Sequence, residues 1–555
     1  EAAHTVVRHG GSLSGEHGDG QARAELLPIM FGAELIQAFR EFKSIWDPHW
    51  RMNPGKIIDP QPLDADLRLG PDYHPRPVKT HFSFRDDRGS FATATERCFG
   101  VGKCRSLGGQ VMCPSFQATR EEMHSTRGRT HLLFEMMRGD ELTRGWREEA
   151  VREALDLCLQ CKGCKHDCPA SVDMATYKAE FLSHYYAGRL RPAAAYSMGL
   201  IFAWARLAAI APGVANLVIQ SPGVGSALLR AAGLSPERAA PKFSAETFQH
   251  WFLRSRRIRD RTRPPVILWP DTFNNHFLPG TAKAAVAALE DAGYRVVVPS
   301  VHLCCGRPLY DYGMLGLAKR KLNHVIDVLR PAIRAGVPVV GLEPSCVSVF
   351  RDELINLMPR DHDAHLLARQ TMMLSEFLMK DPQWQPPRFE RAAIVHAHCH
   401  HRSVLDLDAQ QRMFARMGLE AEYSKVGCCG QAGSFGYEAE HYDVAMKIGE
   451  QGLLPAVRKA PLDKLLIADG FSCREQIWHG ANRWAMHPAE VLALAIQAKQ
   501  QMPARDAAEA YREPPARVDG GTAIRGAGAA AAAGLLLYLA LGRSGASGGR
   551  RRRRT

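Results

Sequence analysis

The chain reads as a multidomain α+β protein, and three observations in its sequence say so. At 555 residues it is too long to close around one hydrophobic core. Its fourteen cysteines divide into two groups of seven, Cys98 to Cys168 and Cys304 to Cys473, the first among helical patterns and the second among strand–helix patterns. The second stretch also repeats itself. Cys304-Cys305-Gly306 returns as Cys428-Cys429-Gly430, 124 residues on, and Cys346 returns as Cys473, 127 residues on.

The first group contains "CLQCKGCKHDCP", in which Cys158, Cys161, Cys164 and Cys168 follow C-x2-C-x2-C-x3-C-P. That is the spacing of a ferredoxin-type [4Fe–4S] site, where one tight loop supplies three corners and the last cysteine turns toward a second cluster. Structural zinc also uses C-x2-C pairs, but three consecutive steps closed by C-P favour iron and sulfur. The partner stretch, "CFGVGKCRSLGGQVMCPS", is altered: Val101 stands where a middle cysteine belongs, and Cys113 arrives nine residues after Cys104. Crossed ligation makes Cys158, Cys161, Cys164 and Cys113 a full set. Cys98, Cys104 and Cys168 are a set of three, open to a three-iron cluster, a non-cysteine ligand or no cluster. Between the motifs, "SFQATREEMHSTRGRTHLLFEMM" and "REEAVREALDLC" carry helical spacing, punctuated by Gly139 and Gly145. A helical ferredoxin domain is therefore expected over residues 92–190.

In the second group, "TAKAAVAALEDAGYRVVVPS" is a helix, a glycine turn and a valine strand. "GVPVVGLEPSC", "AAIVHAHC" and "KLLIADGFSC" each run a short apolar strand into a loop with a cysteine. Ligands collect beyond the carboxyl ends of parallel strands, so each repeat is expected to bring its thiols to one rim, the two halves facing a shared site. Aligning "PVILWPDTF" with "AAIVHAHCHH" sets Thr272 opposite Cys399. The first repeat thus holds three thiols, Cys304, Cys305 and Cys346; the second holds four, Cys399, Cys428, Cys429 and Cys473. The histidines of "AHCHH" suggest zinc, but the alignment favours Cys399 as the ligand there.

These residues resemble the cysteine-rich CCG domains found in heterodisulfide reductases, in the iron–sulfur subunit of glycolate oxidase and in anaerobic glycerol-3-phosphate dehydrogenase. The resemblance implies an iron–sulfur centre in the second repeat, or electron transfer to a quinone or disulfide. Residues 1 to 60, with S-x-E-H-G-x-G at Ser14 to Gly20 and N-P-G-K at Asn53 to Lys56, resemble the C-terminal cap of FAD-linked oxidases of the vanillyl-alcohol oxidase type. By that resemblance Glu16 binds a divalent metal such as zinc that grips the substrate. His17 takes the hydroxyl proton, and Gly15, Gly18 and Asn53 border the flavin. A near-neutral imidazole suits a proton acceptor, and a metal beside a hydroxyl lowers its pKa. Most of the FAD site is expected before Glu1, making this chain a rear fragment. Within the cap, "AELIQAFREFKSIWDP" is an amphipathic helix whose apolar face (Leu35, Phe39, Phe42, Trp46) is read as core.

The expected order is then a flavin cap (1–60), a linker (61–91), the ferredoxin domain (92–190), a helical connector (191–263), repeats at 264–390 and 391–500, and a basic tail (501–555). The connector's apolar run, broken by Arg206, Pro212 and Pro222, is read as packed or interfacial helices. In the tail, Ala527 to Gly542 is shorter than the roughly 20 residues a membrane span needs. Arg550 to Arg554 suit anionic lipid, but a low-complexity extension fits the tail better. Net charge is +13, with 46% apolar and 23% charged residues; no nucleic-acid motif accompanies it. The order resembles fused bacterial D-2-hydroxyglutarate or D-lactate dehydrogenases. It implies oxidation of a small 2-hydroxy acid (2-hydroxyglutarate, lactate or glycolate), with electrons passing from FAD to [4Fe–4S], then the CCG centre, then a quinone or carrier protein. An oligomer in the cytoplasm or at the inner membrane face is expected. The competing readings are a non-catalytic electron-transfer subunit and a thiol/disulfide redox protein.

Overall fold

The computed structural model describes residues 1–65, 67, 69–70, 73–107, 111–255, 260–497, 503–512 and 516–517. The Ala527–Gly542 stretch and Arg550 to Arg554 lie outside the described residues. The chain divides into two compact units, Glu1–Pro75 and Arg76–Thr555.

In the first unit, the helix Leu27–Trp46 kinks at Gly32 and ends where Asp47 accepts the backbone N–H groups of Arg51 and Met52 (2.9 Å each). Those bonds hold the Asp47 carboxyl down at about 2. The apolar face of this helix is not core. Phe42 is 65% and Trp46 71% exposed, and Leu35 lies open as well. A unit of this size has too little interior to cover a twenty-residue helix.

The expected linker also divides. From residue 76 onward the chain belongs to the second unit, where Phe82 and Phe84 are buried. Buried Glu180 accepts the N–H groups of His81 and Phe82, and Asn356 accepts those of Ser83 and Phe84. Two phenylalanines with a satisfied backbone make this segment core, despite its Pro- and Asp-rich beginning.

The helical part follows the cysteine motifs. Pro114–Thr119 is separated from Thr126–Arg138 by Arg120 in left-handed conformation (φ 65°) and a single 3-10 turn, so the expected helix is two. Ser125 caps the second through Gly128 N–H, and Gly139 ends it. Glu149–Asp156 leads into the four-cysteine loop, and Met174–Tyr185 leaves it.

Seven described strands form two parallel sheets. β1 (Pro265–Leu268), β2 (Arg295–Val297), β3 (Val339–Gly341) and β4 (Thr371–Met373) take the order β2-β1-β3-β4. β5 (Ala392–His396), β6 (Glu420–Tyr423) and β7 (Leu465–Ala468) take the order β6-β5-β7. The first three strands of each repeat are thus arranged alike, the first strand central. Helices Pro279–Asp291 and Pro488–Ile496 pack together and join both sheets in one apolar core.

Candidate redox centres

Each strand of this shared pattern ends in a loop that carries a thiol or its replacement. Thr272 follows β1, Cys304 and Cys305 follow β2, and Cys346 follows β3; Cys399, the Cys428–Cys429 pair and Cys473 follow β5, β6 and β7. Thirteen of the fourteen cysteines are buried and Cys168 is half-buried.

In the second repeat the four thiols are hydrogen-bonded in a chain, Cys399 to Cys428 to Cys429 to Cys473. The turn through Gly430 (φ +91°) requires glycine, since a Cβ there would lie 2.1 Å from the Ala445 carbonyl oxygen. His396 lies beside Cys429, 2% exposed, with neither ring nitrogen bonded, and burial keeps it neutral. His398 is the reverse case: burial would lower it, but Cys399 at its side raises it to about 10. His401 is paired with buried Asp469 (2.5 Å), and His400 donates from Nε2 to the Gln160 carbonyl (2.9 Å). The histidines of "AHCHH" therefore orient the site and bridge to the helical part.

The first repeat repeats this geometry with one donor changed. The Thr272 hydroxyl hydrogen-bonds Cys304 as Cys399 does Cys428, and Cys305 lies 3.0 Å from Cys346. Asp271, beside them, is lifted to about 6 by burial and by neighbouring Glu343.

In the helical part, Cys113, Cys158, Cys161 and Cys164 line one cavity. Cys113 sits in left-handed backbone (φ 54°) and is bonded by Thr126 through its hydroxyl (2.9 Å) and N–H (3.0 Å). Gln160 and Lys162 are also left-handed, so the loop stores strain between its cysteines. Cys98 and Cys104 both face Arg127, and hydrogen bonds from Cys113 and the Arg127 N–H bring Cys104 down to about 6. Val101 is 59% exposed.

The helical and repeat cavities adjoin. Cys161, Cys399 and Val111 form one buried contact. The Gln160 carbonyl, between two cysteines of the loop, accepts from both His400 and Arg307 (3.1 Å). Lys162, fully buried, is ion-paired with Asp173, Asp352 and Glu353. His441 Nε2 meets Asp156 (2.9 Å) and its Nδ1 faces Glu438 (3.3 Å). Burial alone would lower His441, but the two carboxylates raise it to about 9; burial would raise Asp156, but the hydrogen bond and charge of His441, with Lys178 and Arg152, hold it near 2. A stabilisation that favours protonated His441 is complete below its unfolded pKa of about 6.5 and is lost as pH rises through 9. Asp156 acts oppositely, stabilising above about 3.9 and failing as pH falls to 2. The melting temperature of His441→Gln is expected to trail wild type most between pH 4 and 6.5 and to converge on it above 9. A gap that persists unchanged at pH 10 would refute this.

Soft thiolates in buried sets suit iron–sulfur clusters, and the unbonded His396 and the thiol-lined cavity leave unmet donors for one. Among the described residues no three His, Cys, Asp or Glu side chains are arranged to hold a single metal ion.

In the Glu1–Pro75 unit, Glu16 and His17 lie 3.2 Å apart, each more than 80% exposed. A Cβ at Gly15, Gly18 or Gly20 would meet nothing within 4 Å, so this loop offers an open face to a planar ring. Lys56 reaches Gln21 (2.5 Å), setting the N-P-G-K turn, with Asn53 left-handed (φ 46°), beside that loop. Glu16 and His17 are two donors, short of the three protein ligands of a catalytic zinc.

Comparison with known proteins agrees with this layout. Residues 1–57 match the FAD linked oxidases, C-terminal domain, and residues 94–172 the 4Fe-4S dicluster domain. The chain is homologous to D-2-hydroxyglutarate dehydrogenase of Pseudomonas putida, 29% identical over 87% of this chain and 51% of that protein. It is similar to the glycolate oxidase iron-sulfur subunit of Escherichia coli, 24% identical over 72% of this chain and 94% of that one. It spans about half the length of the D-2-hydroxyglutarate dehydrogenases it matches. Lactate utilization protein A of Bacillus velezensis is 30% identical over 180 residues, 31% of this chain and 74% of that protein. Over those residues the chain belongs to the family of lactate utilization protein A, and it carries a FAD-linked oxidase C-terminal domain ahead of its 4Fe-4S dicluster domain.

Proposed function

We propose that this chain is the rear part of a flavin- and iron–sulfur-dependent dehydrogenase that oxidises a D-2-hydroxy acid and delivers the electrons to a quinone or carrier protein. The observation that carries the reading is the buried contact of Cys161 with Cys399, which brings two thiol sets together in a chain that begins with a FAD-linked cap. Clusters bound at such sets supply one-electron transfer. The chain's own part is to hold them. Cys113, Cys158, Cys161 and Cys164 ligate one, and Cys399, Cys428, Cys429 and Cys473 the other. His400 and Arg307 fix the Gln160 carbonyl between them. In the cap, His17 accepts the hydroxyl proton and Glu16 contributes to a divalent metal site. An acceptor pocket fits the cavity beside Cys399, where Met198, Ile201, Phe273 and Phe471 supply apolar walls and Arg307 and His398 polar ones. A reducing cytoplasm suits so many thiols.

The test joins this chain to its flavin-bearing front half and adds D-2-hydroxyglutarate, D-lactate or glycolate without oxygen. Bleaching of the iron–sulfur absorbance by one of them is expected, and His17→Asn is expected to slow it by about 10²- to 10⁴-fold. Clusters that dithionite reduces but none of the acids does, with FAD bound, would sink the reading. The high coverage of the glycolate oxidase iron-sulfur subunit favours a second reading, an electron-transfer subunit serving a separate flavoprotein. Bleaching that requires an added flavoprotein would select it.

A further inference from the structure

We propose that the connector helices Ile201–Ala208, Pro212–Gln220 and Val224–Ala231 form a surface that seats this chain on an anionic lipid bilayer without crossing it. The sequence supplies the charge. From residue 181 to residue 236 there is no Asp or Glu, whereas Arg189, Arg191, Arg206 and Arg230 fall in that span. Three of them, Arg189, Arg206 and Arg230, are exposed.

The fold supplies the apolar face. Pro212–Gln220 packs on Val224–Ala231 as a hairpin. In this pair Leu217 is 60%, Val224 59% and Leu228 47% exposed, and Ile210, just before it, 52%. Val224, Ala227, Leu228 and Ala231 recur at i, i+3, i+4 and i+7, one stripe of a helix, and all are exposed. Trp204 and Tyr196, the latter 40% exposed, belong to the connector just before the hairpin, the Trp204 indole donating to the Tyr196 carbonyl oxygen. Aromatic residues at an apolar–polar boundary and arginines beside an aliphatic face are the features of helices that lie in a membrane interface.

The shape suits helices that lie in the interface. Ile201–Ala208 and Pro212–Gln220 bend by 115° at their junction, and no single described helix is long and apolar enough to cross a bilayer. The second of them, at nine residues, is only about 14 Å long against a hydrocarbon core of about 30 Å. The connector also touches the redox site, since Met198 and Ile201 line the cavity that contains Cys399. A bilayer under this face would put a lipid-soluble acceptor beside that cavity; this consequence, unlike the docking itself, rests on the function proposed above.

The experiment is flotation of the full chain with phosphatidylcholine vesicles, with and without phosphatidylglycerol, in low and high salt. Wild type is expected to float with the anionic vesicles and to be released by salt. Leu217→Glu/Val224→Glu/Leu228→Glu alters only exposed side chains and is expected to lower binding on the order of tenfold or more. Arg206→Ala and Arg230→Ala are each expected to lower it about fivefold. Unchanged circular dichroism and iron content in the variants would show that folding is intact. Equal binding to neutral vesicles, or no binding to either kind, would overturn the proposal. So would full binding by the triple glutamate variant with loss on replacing Arg550 to Arg554, which would assign the membrane to the tail. Sedimentation showing that the same three substitutions dissolve a dimer or release a protein partner, with no effect on flotation, would assign the face to protein contact and overturn it too.

Discussion

Lys162→Met is expected to destabilise the Arg76–Thr555 unit by about 3–5 kcal/mol, the range for removing one partner from a buried ion pair. Lys162 is 1% exposed, and its ammonium lies 3.3 Å from Asp173, 2.6 Å from Asp352 and 3.1 Å from Glu353. Burial alone would favour neutral lysine, but the three carboxylates outweigh it and hold the group charged. Lys165 also reaches Asp352 and Asp173, from a more exposed position, and cannot neutralise all three acids. Methionine fills the same space and leaves the carboxylates facing one another. The check is a thermal melt and a denaturant titration of the full chain. Lys162→Met/Asp352→Asn is expected to recover part of the loss, because it removes one of the stranded charges. A melting temperature for Lys162→Met equal to that of wild type would show that the network contributes nothing. The same lysine follows a proposed cluster ligand, Cys161, and it binds that loop to Asp352 and Glu353 of the first repeat. Its loss is therefore expected to loosen the join between the two thiol sets as well as the fold.

The second large effect concerns cluster capacity. Cys399→Ser is expected to abolish the proposed centre of the second repeat, and Thr272→Cys to let the first repeat hold one as well. The argument is geometric. Thr272 begins the helix Thr272–His276 after β1, and Cys399 begins the helix Cys399–Val404 after β5. The Thr272 hydroxyl bonds Cys304, and Cys399 bonds Cys428. Exchanging that hydroxyl for a thiol completes a set with Cys304, Cys305 and Cys346 and leaves the backbone alone. Iron and acid-labile sulfide per chain, with the electron paramagnetic resonance of the reduced protein, report the outcome. A rise by one further centre in Thr272→Cys is the expected result. A well-folded Thr272→Cys with unchanged iron content would mean that the first repeat is closed to a cluster for another reason, the negative charges of Asp271 and Glu343 beside Cys346 being the first to test.

Several features were legible in the sequence because the chemistry lies in short-range spacing. C-x2-C-x2-C-x3-C-P holds its thiols on one loop whatever surrounds it, and a strand that ends in a cysteine presents it at the sheet's carboxyl rim. The likeness of Thr272 to Cys399 could be read from the register of two repeats alone. The helix at residues 27–46 shows the limit of such reading. Its 3.6-residue pattern gives the helix and its apolar face, but periodicity says nothing about whether a partner covers that face, and here Phe42 and Trp46 stand open. Residues 61–91 show the same limit in reverse: proline and aspartate suggested a linker, yet Glu180 and Asn356, remote in sequence, bind its later part into the core.

The sequence by itself determined the cysteine loops, the two α/β repeats, the threonine in place of a fourth thiol and the flavin-type cap, since each is a pattern within a few dozen residues. The tertiary structure decided which loops meet. The Cys161 and Cys399 contact, the hold of His400 and Arg307 on Gln160 and the pairing of buried Lys162 with Asp352 and Glu353 join residues more than a hundred positions apart. The physical reason is that local spacing fixes backbone geometry, whereas burial and electrostatics depend on which distant groups are packed alongside.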